Sequence, residues 1–267
     1  MTTRRILLVD DERTVLTMLA MALDDPTWAI EAVATPAEAL DRLELGRYDL
    51  LITDKNLPGM SGVELIRVVR ARDRQMPVIL ITGYASLESA IETLNLGITA
   101  YLEKPFPDLR ELRRVVREAL ERRAQALALE APFAAAAPRP KPARALKVLV
   151  GSPRAAVRET IAGHLRGGVD AVSVAGTAEE LRAAVAGDAP DVVILDGAQG
   201  GEDVAALAAA LGGDRGRALV VVADQGLALL TVVRLIRLEV RALIDVAPDH
   251  STFAARLAHT LERLRAG

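Results

Sequence analysis

The sequence contains no cysteine, few aromatic residues and no long apolar run, and each shortage excludes a class of protein. Without cysteine in its 267 residues, the chain can form neither a disulfide scaffold nor a thiolate metal site. Aromatic residues make up only 3%, so the stacking platforms that bind single-stranded nucleic acid are lacking. The three histidines, His164, His250 and His259, have no metal-ligand spacing, which argues against zinc chemistry.

The distribution of apolar and charged residues also argues against membrane and nucleic-acid binding. No apolar run reaches the ~18 residues that cross a bilayer, and residues 1–10 lack the long apolar stretch of a signal peptide. The net charge of -3 disfavours a general attraction to DNA or acidic membranes. We therefore expect a cytoplasmic protein with no direct nucleic-acid partner and no membrane partner.

Proline and alanine accumulate near the middle of the chain. Four prolines lie between residues 131 and 143, and such a stretch favours extended polyproline geometry and predicts a semi-rigid linker. A proline-rich ligand for another protein is the alternative interpretation. We accordingly divide the chain into a first domain at residues 1–122, an Ala/Pro-rich linker at 123–145 and a second domain at 146–267.

Aliphatic runs alternate with amphipathic stretches on both sides of this linker. The strands predicted in the first half are Ile6–Val9, Ala29–Val33, Leu50–Thr53, Val78–Thr82 and Ala100–Leu102. The helical patterns between and after them lie near Thr14–Leu23, Pro36–Leu45, Ser61–Ala71 and Ser86–Leu96, and from Asp108 onward. The second half repeats the rhythm with strands at Val148–Val150, Ala171–Val174, Val192–Leu195, Ala218–Val222 and Ala242–Ile244. Continuous aliphatic strands indicate burial on both faces of a parallel sheet.

This two-copy repeat predicts the fold class. It is α/β, with two flavodoxin-like, doubly wound (βα)5 domains in tandem. Each domain is expected to have a central parallel five-stranded sheet in the order 2-1-3-4-5, with its site at the carboxyl ends of the strands.

Polar residues of the first half stand where predicted strands end, and they are Asp10, Asp11, Asp54, Thr82 and Lys104. Because the carboxyl ends of parallel strands share one edge, these side chains should converge in one cleft. Three crowded carboxylates repel one another unless a cation lies between them, and all-oxygen ligation suits Mg²⁺. A metal, an ammonium and a hydroxyl around one carboxylate predict a phosphoryl site with Asp54 as the nucleophile.

The same residues stand in motifs that resemble the receiver domain of bacterial response regulators. The resemblance covers roughly residues 4–121 and rests on the ordered segments 8–12 (LVDDE), 54–62 (DKNLPGMSG), 81–83 (ITG) and 101–106 (YLEKPF). It implies that Asp54 is the phosphoacceptor and that Thr82 and Lys104 bind the phosphoryl oxygens. It also implies that Asp11 and Asp54 bind Mg²⁺ directly, that Asp10 acts mainly through water, and that the backbone carbonyl of Asn56 completes the protein ligands.

The resemblance extends to a conformational switch and to partners. Tyr101 stands where the family has a rotating aromatic side chain coupled to Thr82, although simple packing of a strand residue is the alternative. The family's cis peptide bond would fall at Lys104–Pro105. A histidine kinase or a histidine phosphotransfer protein would donate the phosphoryl group.

The second copy lacks most of these residues. Aligning the repeats puts Gly151 and Ser152 at the acidic pair, and Ala223, Val246 and Leu243 at the positions of Thr82, Lys104 and Tyr101. Of the site residues, only the acid at the position of Asp54 is kept, as Asp196. We therefore interpret residues 146–267 as a degenerate receiver that serves as an adaptor or dimerisation module.

Together these features predict a phosphorelay response regulator whose phosphorylation at Asp54 switches contacts with an unknown downstream protein. In this interpretation the chain is not an enzyme beyond its own phosphorylation and dephosphorylation, and homodimerisation remains open. One alternative is a phosphate sink that drains a kinase. The other is an aspartyl-phosphate phosphohydrolase, but that class carries a second acid two residues after its nucleophile, where this chain has Asn56.

Overall fold

The computed structural model describes residues 3–106, 108–130, 146–165, 169–198, 203–211, 217–223, 227–245 and 250–266. In the first half, strands alternate with helices along the chain. The strands are β1 (Arg4–Val9), β2 (Trp28–Val33), β3 (Leu50–Asp54), β4 (Val78–Thr82) and β5 (Ala100–Glu103). The helices are α1 (Arg13–Ala22), α2 (Pro36–Leu45), α3 (Gly62–Arg72), α4 (Leu87–Asn95) and α5 (Leu109–Glu130).

The second half repeats this alternation. Its strands are β6 (Lys147–Gly151), β7 (Ala171–Ala175), β8 (Val192–Asp196), β9 (Ala218–Ala223) and β10 (Ala242–Asp245). Its helices are α6 (Ala155–Leu165), α7 (Ala178–Asp188), α8 (Val204–Leu211), α9 (Leu229–Arg237) and α10 (His250–Ala266).

Each half builds one parallel sheet, and the two sheets share a topology. The first is ordered β2-β1-β3-β4-β5, and the second is ordered β10-β9-β8-β6-β7, which is the same connectivity read from the opposite edge. All their pairings are parallel. The central strands β3, β4 and β8 are buried at every residue, as strands covered by helices on both faces must be. The predicted fold class is confirmed.

The aliphatic residues form a separate core in each half. The main cluster of the first half runs from Ile6 to Leu120, and partly buried Trp28 packs against it. The cluster of the second half runs from Leu146 to Leu261 and includes Phe253. The apolar run of α8 is used inside this second unit, because Val204, Leu207 and Leu211 are all buried.

The loop after β3 is fixed by the start of α3, and this positions the end of β3. A Cβ atom at Gly62 would lie 1.9 Å from the carbonyl oxygen of Asp54, so a larger residue would push the backbone away. Ser61 caps the helix by accepting a hydrogen bond from the Glu64 amide (3.2 Å), and the Glu64 carboxylate accepts one from the Ser61 amide (2.8 Å). The chain therefore turns sharply beside Asp54.

The chain separates into two compact units, residues 1–139 and 140–267. Helix α5 continues to Glu130, eight residues beyond the expected end of the first domain at 122. The extended part is tied to the rest of the domain at Arg123, which forms an ion pair with Asp73 directly after α3. The Ala/Pro stretch at 131–145 lies outside the described residues. Within the described ranges, no helix has both the length and the apolar character of a membrane span.

Candidate functional site

The carboxyl ends of β1, β3, β4 and β5 meet at one edge of the first sheet. Strand register aligns Val9 with Thr53, Asp54 with Ile81, and Thr82 with Glu103. Asp10 directly follows β1 and Lys104 directly follows β5, so both join Asp54 and Thr82 at this edge. The predicted convergence of these four residues is therefore present in the structure.

Lys104 lies between two buried carboxylates. Its Nζ is 2.6 Å from Asp10 Oδ2 and 2.7 Å from Asp54 Oδ1. The exposed fraction of the side chain is 15% for Lys104, 0% for Asp10 and 6% for Asp54. Low exposure strengthens these contacts, because little water screens the three charges.

Burial sets the electrostatics of this triad. It raises the pKa of Asp10 above its usual value, and hydrogen bonds from Lys104 and the Glu12 amide only partly offset that effect. Burial acts against the charge of Lys104 as well. The hydrogen bonds and attraction from Asp10 and Asp54 outweigh it, and the pKa of Lys104 is raised on balance. The site therefore favours additional positive charge near Asp10.

Asp11 does not join the triad in this structure. It is exposed at the bend before α1, and no group of three or more acidic or histidine side chains within the described ranges is arranged to hold a metal. The crowding of three carboxylates expected from the sequence is thus reduced to two, Asp10 and Asp54, and the single charge of Lys104 offsets only part of their combined charge. The donor chemistry still fits Mg²⁺, which prefers oxygen ligands. The carboxylates of Asp10 and Asp54 are both buried and lie close enough together to contact the same ammonium group, that of Lys104.

The backbone after Asp54 also contacts its carboxylate. The amide of Asn56 donates a hydrogen bond to Asp54 Oδ2. One further contact was not predicted from the sequence: Lys55 Nζ donates to the carbonyl oxygen of Tyr84 at 2.6 Å and links the loops after β3 and β4. No motif signalled this link, since it depends on the spacing of two loops that are distant in sequence.

Thr82 and Tyr101 lie side by side on neighbouring strands but have different partners. The buried Thr82 hydroxyl accepts a hydrogen bond from the Tyr84 amide at 3.0 Å. Tyr101 is buried, and its hydroxyl lies 2.8 Å from Ser89 Oγ and accepts a hydrogen bond from the Ser86 amide at 3.4 Å. The roles of both serines toward Tyr101 were missed, although Ser86 at the start of α4 is a recognisable helix cap. The Lys104–Pro105 peptide bond is cis, as the resemblance implied.

Strand register corrects the alignment of the acidic pair in the second copy. Gly151 pairs with Leu195 in the way that Val9 pairs with Thr53, so Ser152 corresponds to Asp10 and Pro153 to Asp11. The sequence alignment of this pair was wrong by one residue, because it set Gly151 against Asp10, an offset of 141, whereas the register of β6 and β8 gives an offset of 142. Register does match Ala223 with Thr82 and Leu243 with Tyr101. Val246, aligned with Lys104, lies outside the described residues.

Comparison with known proteins identifies the family of the first domain. The sequence model of the response regulator receiver domain matches residues 6–117. The chemotaxis protein CheY of Pseudomonas aeruginosa is 38% identical over 105 residues, which are 38% of this chain and 85% of that protein. The chain therefore belongs to the response regulator receiver family through its N-terminal domain.

Other relatives share this domain but are longer than CheY. The uncharacterized transcriptional regulatory protein YkoG of Bacillus subtilis is 36% identical over 115 residues, 43% of this chain and 50% of that protein. The chain thus spans about half the length of YkoG. Among solved structures, a CheY-like receiver domain protein from Methanospirillum hungatei has 34% identity and a TM-score of 0.45, covering 47% of this chain and 99% of that one.

Proposed function

We propose that the protein is a response regulator in which Asp54 accepts a phosphoryl group from a histidine kinase or a histidine phosphotransfer protein. One Asp54 oxygen attacks the phosphorus of a phosphohistidine. The P–N bond breaks with its electrons retained by the imidazole, and an aspartyl phosphate forms. The observation that carries this proposal is the double contact of Lys104 with Asp10 and Asp54 at the strand edge, in a chain of the receiver family.

Each neighbouring residue has a task in this reaction. Asp10, Asp11, Asp54 and the carbonyl of Asn56 would hold Mg²⁺, which when bound supplies positive charge beside the phosphoryl oxygens. Lys104 is already in contact with Asp54 and would exchange the carboxylate oxygen for a phosphoryl oxygen. Thr82 would rotate away from the Tyr84 amide and donate its hydroxyl to another phosphoryl oxygen.

The response passes from Thr82 to the adjacent loop and Tyr101. When the Thr82 hydroxyl leaves the Tyr84 amide, the loop between β4 and α4 loses one of its fixed points. The Tyr101 hydroxyl contacts Ser86 and Ser89 at the start of α4, so movement of this loop would alter the surface formed by α4, β5 and α5. Phosphorylation would in this way shift the population between two states that differ in affinity for a downstream protein.

The second domain would serve as an adaptor or as a dimerisation module. Its fold is intact, whereas the residues at its corresponding edge differ from those of the first domain. Two apolar side chains, Val174 on β7 and Leu230 on α9, are 54% and 77% exposed and could contribute to a contact. The domain boundaries at 122/123 and 145/146, the absence of a nucleic-acid partner and the cytoplasmic location remain predictions.

Phosphotransfer to three forms of the full chain tests this function. Wild type, Asp54→Asn and Asp196→Asn are incubated with Mg²⁺ and acetyl phosphate, then with a phosphorylated histidine kinase, and labelling is read by intact mass. We expect labelling of wild type and Asp196→Asn and none of Asp54→Asn. Label that persists on Asp54→Asn but disappears from Asp196→Asn would reverse the assignment of the active half.

Two further measurements separate the alternatives that share this chemistry. Steady turnover of p-nitrophenyl phosphate that depends on Asp54 would identify a phosphohydrolase. Phosphorylation without any partner that binds the phosphorylated chain more tightly than the unphosphorylated chain would favour a phosphate sink.

A further inference from the structure

In the second domain, the acid that corresponds to Asp54 is Asp196, and both of its carboxylate oxygens accept hydrogen bonds. Arg154 forms a bidentate contact with Asp196, in which Nε lies 2.9 Å from Oδ2 and Nη2 lies 2.7 Å from Oδ1. The Ser152 hydroxyl donates to Oδ2 at 2.5 Å, and the Ala198 amide donates to Oδ1 at 2.9 Å. Asp196 itself is fully buried.

These contacts occupy the acceptor capacity of the carboxylate. An ionised carboxylate offers about four lone-pair positions, and Asp196 receives four donors, two from Arg154 and one each from Ser152 and Ala198. A carboxylate can bind a metal or attack phosphorus only through an oxygen lone pair. Asp196 has no such position to offer while Arg154 remains in place.

Comparison with the first domain shows which residues differ at this position. By strand register Ser152 corresponds to Asp10, and therefore Arg154 corresponds to Glu12. The local backbone is the same in both copies, because the Glu12 amide donates to Asp10 Oδ1 at 3.0 Å and the Arg154 amide donates to Ser152 Oγ at 3.0 Å. The acidic run at 10–12 has thus been replaced by a neutral pair followed by a cation.

We propose that Arg154 is a resident cation that takes the place of both the divalent ion and the lysine in the second domain. Its guanidinium stays charged at any physiological pH, and its planar fork matches a carboxylate better than a lysine does. Arg158 supports the arrangement by donating from Nη1 to the Ser152 carbonyl at 2.5 Å. Asp196 therefore responds neither to Mg²⁺ nor to a phosphoryl donor, and we call this arrangement of Arg154 on Asp196 the lock.

Because of this lock, the two domains differ in their response to phosphorylation. In the proposed function the first domain changes on phosphorylation, whereas in the second domain the charge of Asp196 is already balanced by Arg154. The inference concerns only the second domain and holds whether or not Asp54 is the phosphoacceptor.

Methyl NMR of the full chain with Mn²⁺ in place of Mg²⁺ tests the lock, because Mn²⁺ broadens only nearby signals. The reporters are the methyl groups of Leu195, next to Asp196, and of Val222, which pairs with it across the sheet. We compare wild type, Ser152→Asp, and Ser152→Asp combined with Arg154→Met. Dispersed second-domain signals in each form show that it is folded.

The expected result is broadening of Leu195 and Val222 only in the double variant. Ser152→Asp alone places an acid at the position of Asp10 but keeps Arg154. Its Leu195 and Val222 signals should therefore stay sharp at Mn²⁺ concentrations that broaden them in the double variant. Equal broadening of the single and double variants, or none in a folded double variant, would overturn the proposal.

A measurement on the unaltered protein keeps the proposal testable if the double variant does not fold. The Arg154 Nε–H signal should be protected from solvent exchange and unchanged by Mg²⁺ and acetyl phosphate, while it shifts in Asp196→Asn. The exposed Arg256 on α10 is the matched control, and its signal should exchange rapidly. Rapid exchange of Arg154 Nε–H, or its displacement by Mg²⁺, contradicts a resident cation.

Discussion

Lys104 stabilises two carboxylates that the first sheet buries at its edge. Neither Asp10 nor Asp54 can reach water freely, and each contacts the same ammonium group at 2.6–2.7 Å. Removing one partner of a buried ion pair leaves the other charge neither hydrated nor paired. The resulting loss of stability exceeds the stability that the intact pair contributes. The residue proposed to bind the phosphoryl group therefore also has a structural task in the unphosphorylated protein.

Lys104→Met is expected to lower the free energy of unfolding of the first domain by about 2 kcal/mol in metal-free buffer. This is below the full cost of breaking a buried pair because the Lys104 side chain is 15% exposed. Denaturant unfolding followed by fluorescence of Trp28, the single tryptophan, measures it. Added Mg²⁺ should raise the midpoint of Lys104→Met more than that of wild type, because the ion replaces the lost charge.

Lys55→Met is the matched control for this loss of charge. Lys55 follows Asp54 directly, but its ammonium contacts a carbonyl oxygen at an exposed position. A change within about 0.5 kcal/mol is expected for such a surface contact. Equal effects of the two substitutions would show that the Lys104 contacts contribute nothing specific.

Tyr48 provides a second residue-scale test, away from the phosphorylation site. Burial, together with the hydrogen bond that its hydroxyl donates to Glu31 Oε2 at 2.5 Å, raises the pKa of Tyr48 from 10.0 to about 12. A raised pKa means that the folded state gains stability below pH 10, and that this gain is lost as the pH rises through about 12. Tyr48→Phe should remove the phenol that ionises near 12 from an ultraviolet titration. A wild-type titration without such a phenol would contradict the Glu31 contact.

At the scale of elements, periodicity predicted most bounds to within one residue, because the strands are aliphatic and several helices carry caps. Helix α2 was predicted at its observed bounds, since Thr35 caps it and Pro36 occupies its first turn. Strand β1 begins two residues earlier than predicted, because the Arg4 amide bonds the Thr27 carbonyl and the Arg5 amide bonds Asp49. Tertiary contacts of this kind are not visible in a local pattern.

The candidate site was predictable only where its chemistry lies at strand ends. Asp54 and Thr82 end strands, Asp10 and Lys104 follow strands, and all four were found in that way. Arg154 escaped notice because its role depends on a one-residue register that the sequence repeat does not fix. Asp11 was expected among the carboxylates, but its exposed position depends on the bend before α1 rather than on spacing.

The extended part of α5 contains one ion pair to the rest of the domain, and the contribution of this pair to stability can be tested by pH. Arg123 Nη2 lies 2.5 Å from Asp73 Oδ2, and its side chain is only 10% exposed. Burial acts to raise the pKa of Asp73, but hydrogen bonds from Arg123 and from the amides of Gln75 and Met76 lower it on balance. A lowered pKa contributes stability at neutral pH that disappears as the pH falls through the folded-state value.

Arg123→Met should therefore lower the stability of the first domain by about 1 kcal/mol near neutral pH, a value reduced for the partial exposure of Asp73. The difference from wild type should shrink in acid, below the ordinary pKa of 3.8. Trp28 fluorescence during urea unfolding at both pH values measures the difference. The neighbouring exposed Arg122→Met is the control, and a loss that is equal for both variants, or that grows in acid, would contradict this anchor.

At the scale of the whole molecule, two copies of one topology have diverged in charge rather than in fold. Their aliphatic strands remain buried and their strand orders agree. The differences lie at the carboxyl edge, where Lys104 bridges two acids in one copy and Arg154 saturates one acid in the other. Packing constrains the interior of a sheet, whereas its edge tolerates a change of chemistry.

The separate cores predict that the first domain folds and reacts without the second. Every member of its main buried cluster lies between residues 6 and 120, and α5 ends at Glu130. A fragment of residues 1–130 should therefore unfold, by Trp28 fluorescence, within about 0.5 kcal/mol of the full chain, since distant independent parts contribute additively. It should also accept a phosphoryl group at Asp54 at an unchanged rate. A markedly less stable fragment, or one that is phosphorylated more slowly, would mean that the second domain supports the first, because the fragment keeps all the residues proposed for the reaction.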